Sequence, residues 1–534
     1  MKTNMYKIAA SVLAVLLVAS SCEKNFDAQI YDKLSSSNFP QTESDYENYL
    51  MQCYLPFAGV WGDNMNFTTG GMYSYNKGIH CHFNQPSDES ALPITRWWST
   101  NLVECNFQPC ETWGRWVGDG APSYLNKIRD ITRFTEVMGE LQETDKLSDS
   151  KKKAFVAEVR LIRGIQMYYL MHIYGPVPVI VDPALVTDED ALKDWSRPSL
   201  DQMCKYIEDD LNYAVENIPE TQPQCGRYNR DYARFWLMRH CLNEGSHMSG
   251  YYQKAYDLYT QFKGNYQLFT QGDNPFKELF YEENEKNSEY IMTMETTSSA
   301  DLEVKNGNGL CILNYVIPMD LAKEGEFSNL GISWSGQCYA VNPKFYNTFE
   351  ENDLRKACII TSYNSAWGWG SYSPETINAN WYGYILWKYP MTKKAAYSGA
   401  DFPLARWADV MLMRAEADVR LHNSVSAEAV DLVNQVRARA GLDGLSEAAT
   451  SSVSAFLDAL LMERGHELFW EGQRKIDLIR FGKYHTIMTA DGREPSAQYL
   501  PMPNYAIEEA EAAGITLERY FFRDDYDGPK TSLK

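Results

Sequence analysis

Beyond its first residues the chain has no long uncharged apolar run, so no later segment offers the roughly 20 apolar residues that a membrane-spanning helix needs. It also lacks a GxSxG elbow, an HExxH pair and a P-loop, the local signatures of many hydrolases, zinc peptidases and nucleotide-binding enzymes. Positive charge is in deficit: 50 Lys and Arg stand against 71 Asp and Glu, a formal charge of −21. That balance argues against nucleic acid or anionic lipid as the main partner. The 11 cysteines are irregularly spaced with no paired CxxC units, so a zinc framework is not expected. His80-Cys81-His82 offers ligand types at alternating positions, but ordinary packing explains it as well; no metal and no cofactor are expected. Cys105 and Cys110 are spaced for a local disulfide if the compartment is oxidising.

The N-terminus supplies the one apolar run. Lys2 and Lys7 precede Ile8–Val18, followed by Ala19, Ser20, Ser21 and Cys22. The run is too short to span a bilayer and reads as the core of an export signal. Small residues before a cysteine resemble a lipobox, although Ala19 stands where Leu is usual. The expectation is a lipoprotein signal over residues 1–21, lipid attachment at Cys22, and a polar tether over 22–43. A lipid on Cys22 anchors the chain to a membrane without spanning it.

The remaining 44–534 form the body. Apolar residues recur at helical spacing over Tyr124–Leu141 and Lys151–Tyr174, the latter stopped by Gly175-Pro176. Leu200–Asn217, Tyr232–Glu244, Tyr251–Lys263, Leu404–Leu421, Ser426–Ala440 and Val453–Trp470 read likewise, after a first helix at Ser44–Tyr54. Two regions break the pattern, about 55–120 and 273–403, crowded with Gly, Asn, Trp and Tyr and holding short strand-like pieces at Tyr290–Met294 and Tyr384–Tyr389. Loops this long are usually functional. Leu237-Met238-Arg239 before Ala255 parallels Leu412-Met413-Arg414 before Ala429, as in repeated helix pairs of the tetratricopeptide kind. The predicted fold is mainly α, with tetratricopeptide-like hairpins packed against a large loop-rich, partly β insertion.

Several segments, in order, resemble the SusD/RagB family of outer-membrane nutrient-binding lipoproteins. Ser87-Asp88-Glu89 is similar to its SDE element. Ala157-Glu158-Val159-Arg160-Leu161-Ile162-Arg163, running to Gly175-Pro176-Val177-Pro178, is similar to AEARFLRA…GDVPL. Asp401-Phe402-Pro403 through Ala417 resembles DFPVIRYADVLLMYAEA, and Glu463-Arg464-Gly465-His466-Glu467 with Trp470-Glu471-Gly472-Gln473-Arg474 extends the likeness. The C-terminal QNPGY-like tail is replaced by Arg523-Asp524-Asp525-Tyr526. The resemblance implies a non-catalytic receptor that captures oligosaccharide or polysaccharide for a SusC-like TonB-dependent transporter, lipid-anchored at the outer membrane. It also covers peptide receptors. The SDE and DFP elements read as buried scaffold, with Arg160, Arg163, Glu416, Glu463 and Arg474 as paired charges between helices.

Neutral sugars present CH-rich faces to aromatic rings and hydroxyls to amides and carboxylates. Both irregular regions supply that mixture. The ligand-binding candidates are Trp98, Trp367 and Trp369, then Trp97, Trp334, Tyr363 and Asn364. Two indoles on Trp367-Gly368-Trp369-Gly370 reach one ligand only if the segment is a loop, since alternate strand residues face opposite ways. Trp381 and Trp387 read as core. No catalytic residue is expected: Asp88-Glu89 and Glu282-Glu283 are acidic pairs, but glycoside hydrolysis needs two carboxylates at a fixed separation. A hydrolase and a helical scaffold that binds only protein remain as other readings.

Overall fold

The computed structural model describes residues 39–57, 71–75, 78–92, 100–115, 123–222, 224, 226–296, 310–332, 335–368, 370–374, 383–395 and 397–530. The expected signal, Cys22 and most of the expected tether lie outside them. The chain divides into a unit ending at Tyr49 and a unit from Leu50 onward. Of the first, residues 39–49 are described; there the Asp45 carboxylate accepts from the Gln41 and Thr42 amides at the start of helix α1 (Glu43–Met51).

In the second unit the longer helices are α2 (Ile128–Glu143), α3 (Asp149–Tyr174), α4 (Leu200–Asn217), α5 (Arg230–Glu244), α6 (Tyr251–Leu258), α7 (Trp407–His422), α8 (Ala427–Arg439), α9 (Val453–Leu468), α10 (Arg474–Arg480), α11 (Tyr484–Asp491) and α12 (Asn504–Ala512). Chain neighbours pack as hairpins: α2 on α3, α3 on α4, α4 on α5, α5 on α6 and α7 on α8. Several helix starts are set by side chains that satisfy free amides at the first turn. Ser148, Ser199, Asn229, Ser426 and Ser452 each accept from the amide three residues on. Helix α3 stops where Gly175 turns left-handed at φ 77°; a Cβ there would meet the Phe521 ring at 2.5 Å. Ala255 and Ala429 are fully buried where the paired helices approach. The body is mainly α and tetratricopeptide-like, as the sequence predicts.

Between α6 and α7 the chain is irregular, with strands β1 (Tyr290–Met294), β2 (Ile359–Ile360), β3 (Tyr363–Asn364), β4 (Ser371–Tyr372), β5 (Ile385–Leu386) and β6 (Phe402–Arg406). They pair antiparallel as β1–β6, β2–β5 and β3–β4. Two expectations need correcting. The helix expected from Leu404 begins at Trp407, because Phe402–Arg406 are drawn into pairing with Tyr290–Met294. Cys105 and Cys110 are buried free thiols, not a disulfide.

The insertion is locked to the helices by charge. Arg406, fully buried at the end of β6, contacts Glu289 Oε1 at 2.6 Å, Glu467 Oε1 at 2.9 Å and Glu471 Oε1 at 2.7 Å. Arg439 of α8 meets Glu289 Oε2 at 3.1 Å and also Glu467. From the insertion, Lys388 Nζ reaches Glu471 at 2.6 Å, and Arg355 bridges Asp353 and Glu463. A second set joins the helices: Arg464 lies between Asp409 and Asp477, while Arg480 holds Glu416. The paired charges expected from sequence fall here. Arg160 and Arg163 share Asp210, and Arg474 takes Asp88. Among the described residues no helix is long and apolar enough to cross a membrane.

Burial alone would raise the Glu467 carboxyl, but Arg439, Arg406 and Arg355 hold it down at about 2; Arg464 and Arg239 likewise hold Asp409 at about 2. Lowered carboxylates stabilise the fold above their unfolded pKa near 4, and that stability is lost as pH falls towards 2. Glu467→Ala leaves several buried guanidinium groups short of a partner. We expect it to lower unfolding free energy by about 3–5 kcal/mol, read as an earlier urea midpoint at pH 7. The gap between variant and wild type should close as pH drops from about 4 to about 2.

Candidate functional site

The β3–β4 hairpin is the described part of the irregular half that presents a large aromatic to solvent. Tyr363 pairs with Tyr372 and Asn364 with Ser371, and the two tyrosine rings lie 5.0 Å apart. The described tip residues, 365–368 and Gly370, lie outside the strands. Ser365 N–H donates to Gly370 O at 2.8 Å, and Trp367 N–H to Ser365 Oγ at 3.2 Å. Gly368 and Gly370 take φ 76° and 98°, which only glycine adopts without strain. Trp367 therefore stands on a short arc, 53% exposed.

The hairpin sits on the segment around Asp320. Tyr363 OH donates to Asp320 Oδ1 at 3.0 Å, Ala366 N–H to Asp320 O at 2.6 Å, and Ala322 N–H to Asn364 O at 2.8 Å. These bonds bring Met319, 64% exposed, beside the root of the arc that carries Trp367. At the hairpin edge, Asn364 Nδ2 donates to Glu324 Oε1 at 2.8 Å and Ser371 Oγ to Asn364 Oδ1 at 2.6 Å. All three residues are solvent-facing or nearly so. An exposed indole and thioether thus lie on one sheet-and-turn unit that also carries amide, carboxylate and hydroxyl groups. That set suits a ligand with apolar faces and hydroxyl edges.

The sequence-predicted residues divide as follows. Trp367 and Asn364 are brought together on the hairpin with exposed side chains. Tyr363 is buried, and its role is to hold the hairpin to Asp320 and Tyr372. Trp97, Trp98, Trp334 and Trp369 lie outside the described residues. Trp387 is buried; Trp381 is not described. In the first irregular region, Tyr73, Tyr75 and Trp113 are buried and pack in the core.

Sequence reading missed a second surface. Tyr54, Phe57, Tyr73, Tyr228, Arg227 and Leu404 line a cavity of about 280 Å³. An adjoining cavity of about 230 Å³ shares Arg227 and Thr293 and adds Asn287 and Tyr290. Its aromatics come from three distant stretches, so no local pattern could have signalled it. A cavity of about 720 Å³ next to α2 and α4, lined by Arg129, Trp195 and Gln202, involves none of the predicted residues. No metal-ligand cluster is found on the hairpin among the described residues; Cys204, Glu244 and His247 are brought together instead at α4, α5 and the following turn.

The SusD family model matches residues 221–513. This chain belongs to the SusD family. Among curated relatives, the SusD-like protein P25 of Formosa agariphila is 25% identical over 520 residues, covering 89% of this chain and 90% of the relative. The starch-binding protein SusD of Bacteroides thetaiotaomicron is 23% identical over 550 residues, covering 91% and 92%. Among solved structures, a laminarin-binding SusD-like protein superposes with a TM-score of 0.67 at 20% identity, over 90% of this chain and 99% of that one. The likeness in structure gives the SusD fold. It also explains why the SDE element is scaffold: Asp88 binds Arg474, Glu89 accepts the Trp470 amide at 3.1 Å, and Asn84 accepts the Gly472 amide at 2.8 Å.

Asp401, from the DFP element, fixes the chain leaving β1. Its Oδ1 accepts the Thr296 amide at 2.8 Å, and its Oδ2 accepts Thr293 Oγ1 at 3.3 Å. Burial, with Glu295 and Glu285 nearby, pushes its carboxyl up to about 7. The folded form then holds a proton that the unfolded form has lost above pH 4, so Asp401 makes stability fall as pH rises from about 4 to about 7. Asp401→Asn stays neutral and should flatten that slope. Urea midpoints at pH 5 and pH 8 check this: the wild type should lose more stability between them than the variant.

Proposed function

We propose that this SusD-family protein is a non-catalytic glycan receptor at the cell surface. The observation that carries this reading is the half-exposed Trp367, held on a glycine-flanked arc above a hydrogen-bonded hairpin with Asn364 and Glu324 at its edge. Family membership supports it, since curated and structural relatives are described as starch-binding and laminarin-binding. An indole face stacks on the CH surface of a sugar ring. A rigid two-torsion aromatic loses little conformational entropy in doing so.

In the same reading, residues 1–21 are an export signal, 22–43 a tether, and Cys22 the lipid attachment that keeps the protein at the outer membrane. Captured oligosaccharide passes to a SusC-like TonB-dependent transporter. Trp97, Trp98, Trp334 and Trp369 are proposed to add stacking faces around the same ligand. No cofactor is needed for capture, because binding and release break no covalent bond.

Affinity electrophoresis and calorimetry against neutral glycans, including starch and laminarin oligosaccharides, with a peptide mixture and a product assay alongside, test this. Saturable glycan binding without products is expected. Trp367→Ala should weaken it by about tenfold or more, equivalent to about 1.4 kcal/mol, with the thermal midpoint unchanged. Retention of peptides and none of the glycans would make the ligand peptide. Release of shorter sugars would make the protein an enzyme. Binding that is indifferent to Trp367→Ala would move the platform off the hairpin.

A further inference from the structure

A buried polar cluster lies where α4, α5 and the turn after α5 meet. Cys204 of α4 and Glu244, the last residue of α5, are fully buried. The ring of His247, on the turn that follows, keeps 24% of its exposure. One ligand atom from each of the three lies within 4.8 Å of the others. The surroundings are already those of a coordinating set. His247 Nδ1 faces Asp201 Oδ1 at 3.2 Å, while its Nε2 points at Glu244 Oε2, 2.8 Å away. Arg523 Nη1 also donates to Glu244 Oε2 at 2.8 Å. Glu244 Oε1 is buried with no hydrogen-bond partner. His172 Nε2 lies 3.7 Å from that oxygen and is itself without a partner.

A buried carboxylate oxygen without a well-aligned donor is costly, and the polar side chain beside it is the Cys204 thiol. We propose that Cys204 Sγ, Glu244 Oε1 and His247 Nε2 bind a divalent zinc ion. A thiolate, an imidazole and a carboxylate together select a borderline-soft ion over calcium or magnesium, which prefer all-oxygen sites. Bonds of about 2.0–2.3 Å to each ligand need the farthest pair to draw in slightly. His247 supplies that movement, being on a turn and partly exposed. Asp201 on the far ring nitrogen then plays the orienting carboxylate that zinc-bound histidines commonly have. Arg523 keeps Glu244 Oε2 occupied, so the carboxylate binds the ion through one oxygen.

Binding displaces two protons: the thiol proton of Cys204 leaves to solvent as the thiolate forms, and the His247 ring gives up the Nε2 proton it shares with Glu244 Oε2, staying protonated on Nδ1 toward Asp201. A water completes four coordination. It enters from a cavity of about 260 Å³ lined by Ser246, His247, Met248 and Gly250. None of these residues belongs to the hairpin, so the ion's role is to pin α4, α5 and, through Glu244 and Arg523, the C-terminal segment. The site stands or falls independently of glycan binding.

Cobalt(II) is the probe. The purified protein, treated with chelator and then dialysed, is titrated with Co²⁺ while near-ultraviolet thiolate-to-cobalt absorption is followed; Zn²⁺ is then added in competition. The expected result is a band that saturates near one equivalent and is bleached by zinc. Cys204→Ser should remove the band. His247→Ala, on a partly exposed turn, should keep the fold by circular dichroism and weaken cobalt binding about tenfold or more. Zinc should also raise the thermal midpoint of the wild type but not of His247→Ala. No band in the wild type would overturn the proposal. So would a band that survives Cys204→Ser, or one that His247→Ala leaves unchanged, since either would assign the metal to other thiols. Should Cys204→Ser not fold, the His247→Ala titration decides alone.

Discussion

Arg406 is the residue on which the two halves of this fold depend. It ends the strand that pairs with β1, and it is fully buried with Glu289, Glu467 and Glu471 around its guanidinium. Those carboxylates belong to the insertion side and to the end of α9 and its following turn. Arg439 and Lys388 complete the set from α8 and from the insertion. Burying so many charges is costly, and such a cluster is no stronger than a well-packed apolar joint. What it adds is register. An apolar joint tolerates sliding, whereas a guanidinium that has to meet three carboxylates has one position.

That constraint explains why the elements shared with the SusD family are scaffold. The DFP element supplies β6 and Arg406, and the Glu463-to-Arg474 stretch supplies Glu463, Glu467, Glu471 and Arg474. Asp88 and Glu89 clamp the turn at Trp470, whose own φ of 58° is unusual for a bulky residue. These are the residues that keep a loop-rich half aligned on a helical half. They fix the frame, and none of them lies on the Trp367 hairpin.

Most of the frame was legible because it is written locally. Ser148 before α3, Ser199 before α4 and Ser426 before α8 announce helix starts within three residues, and apolar spacing does the rest. The charge pairs were legible through the elements that resemble the family's, which hold Arg160, Arg163, Glu416, Glu463 and Arg474. Leu404–Arg406 misled for the opposite reason: their helical spacing was overridden by a strand partner more than 100 residues earlier. Tyr363 and Trp367, alike as aromatics in a loop, separate only in three dimensions. One finds Asp320 and Tyr372; the other is carried past them by two left-handed glycines. Cys204, Glu244 and His247 were invisible as a set because 39 residues lie between the cysteine and Glu244, and 42 between it and His247.

The contrast between frame and loop has a physical logic for a receptor. Binding a flexible chain of sugars already costs the ligand conformational freedom. A platform that also had to be ordered would add its own cost, and the net affinity would shrink. Here the order is supplied in advance. Tyr363 is fixed by Asp320, Asn364 by Glu324 and Ser371, and the arc beyond them by its own turn bonds. Trp367 needs to settle only two torsions. The frame's ion pairs and the tip residues belong to different stretches of the chain, so a change at the tip leaves those pairs in place.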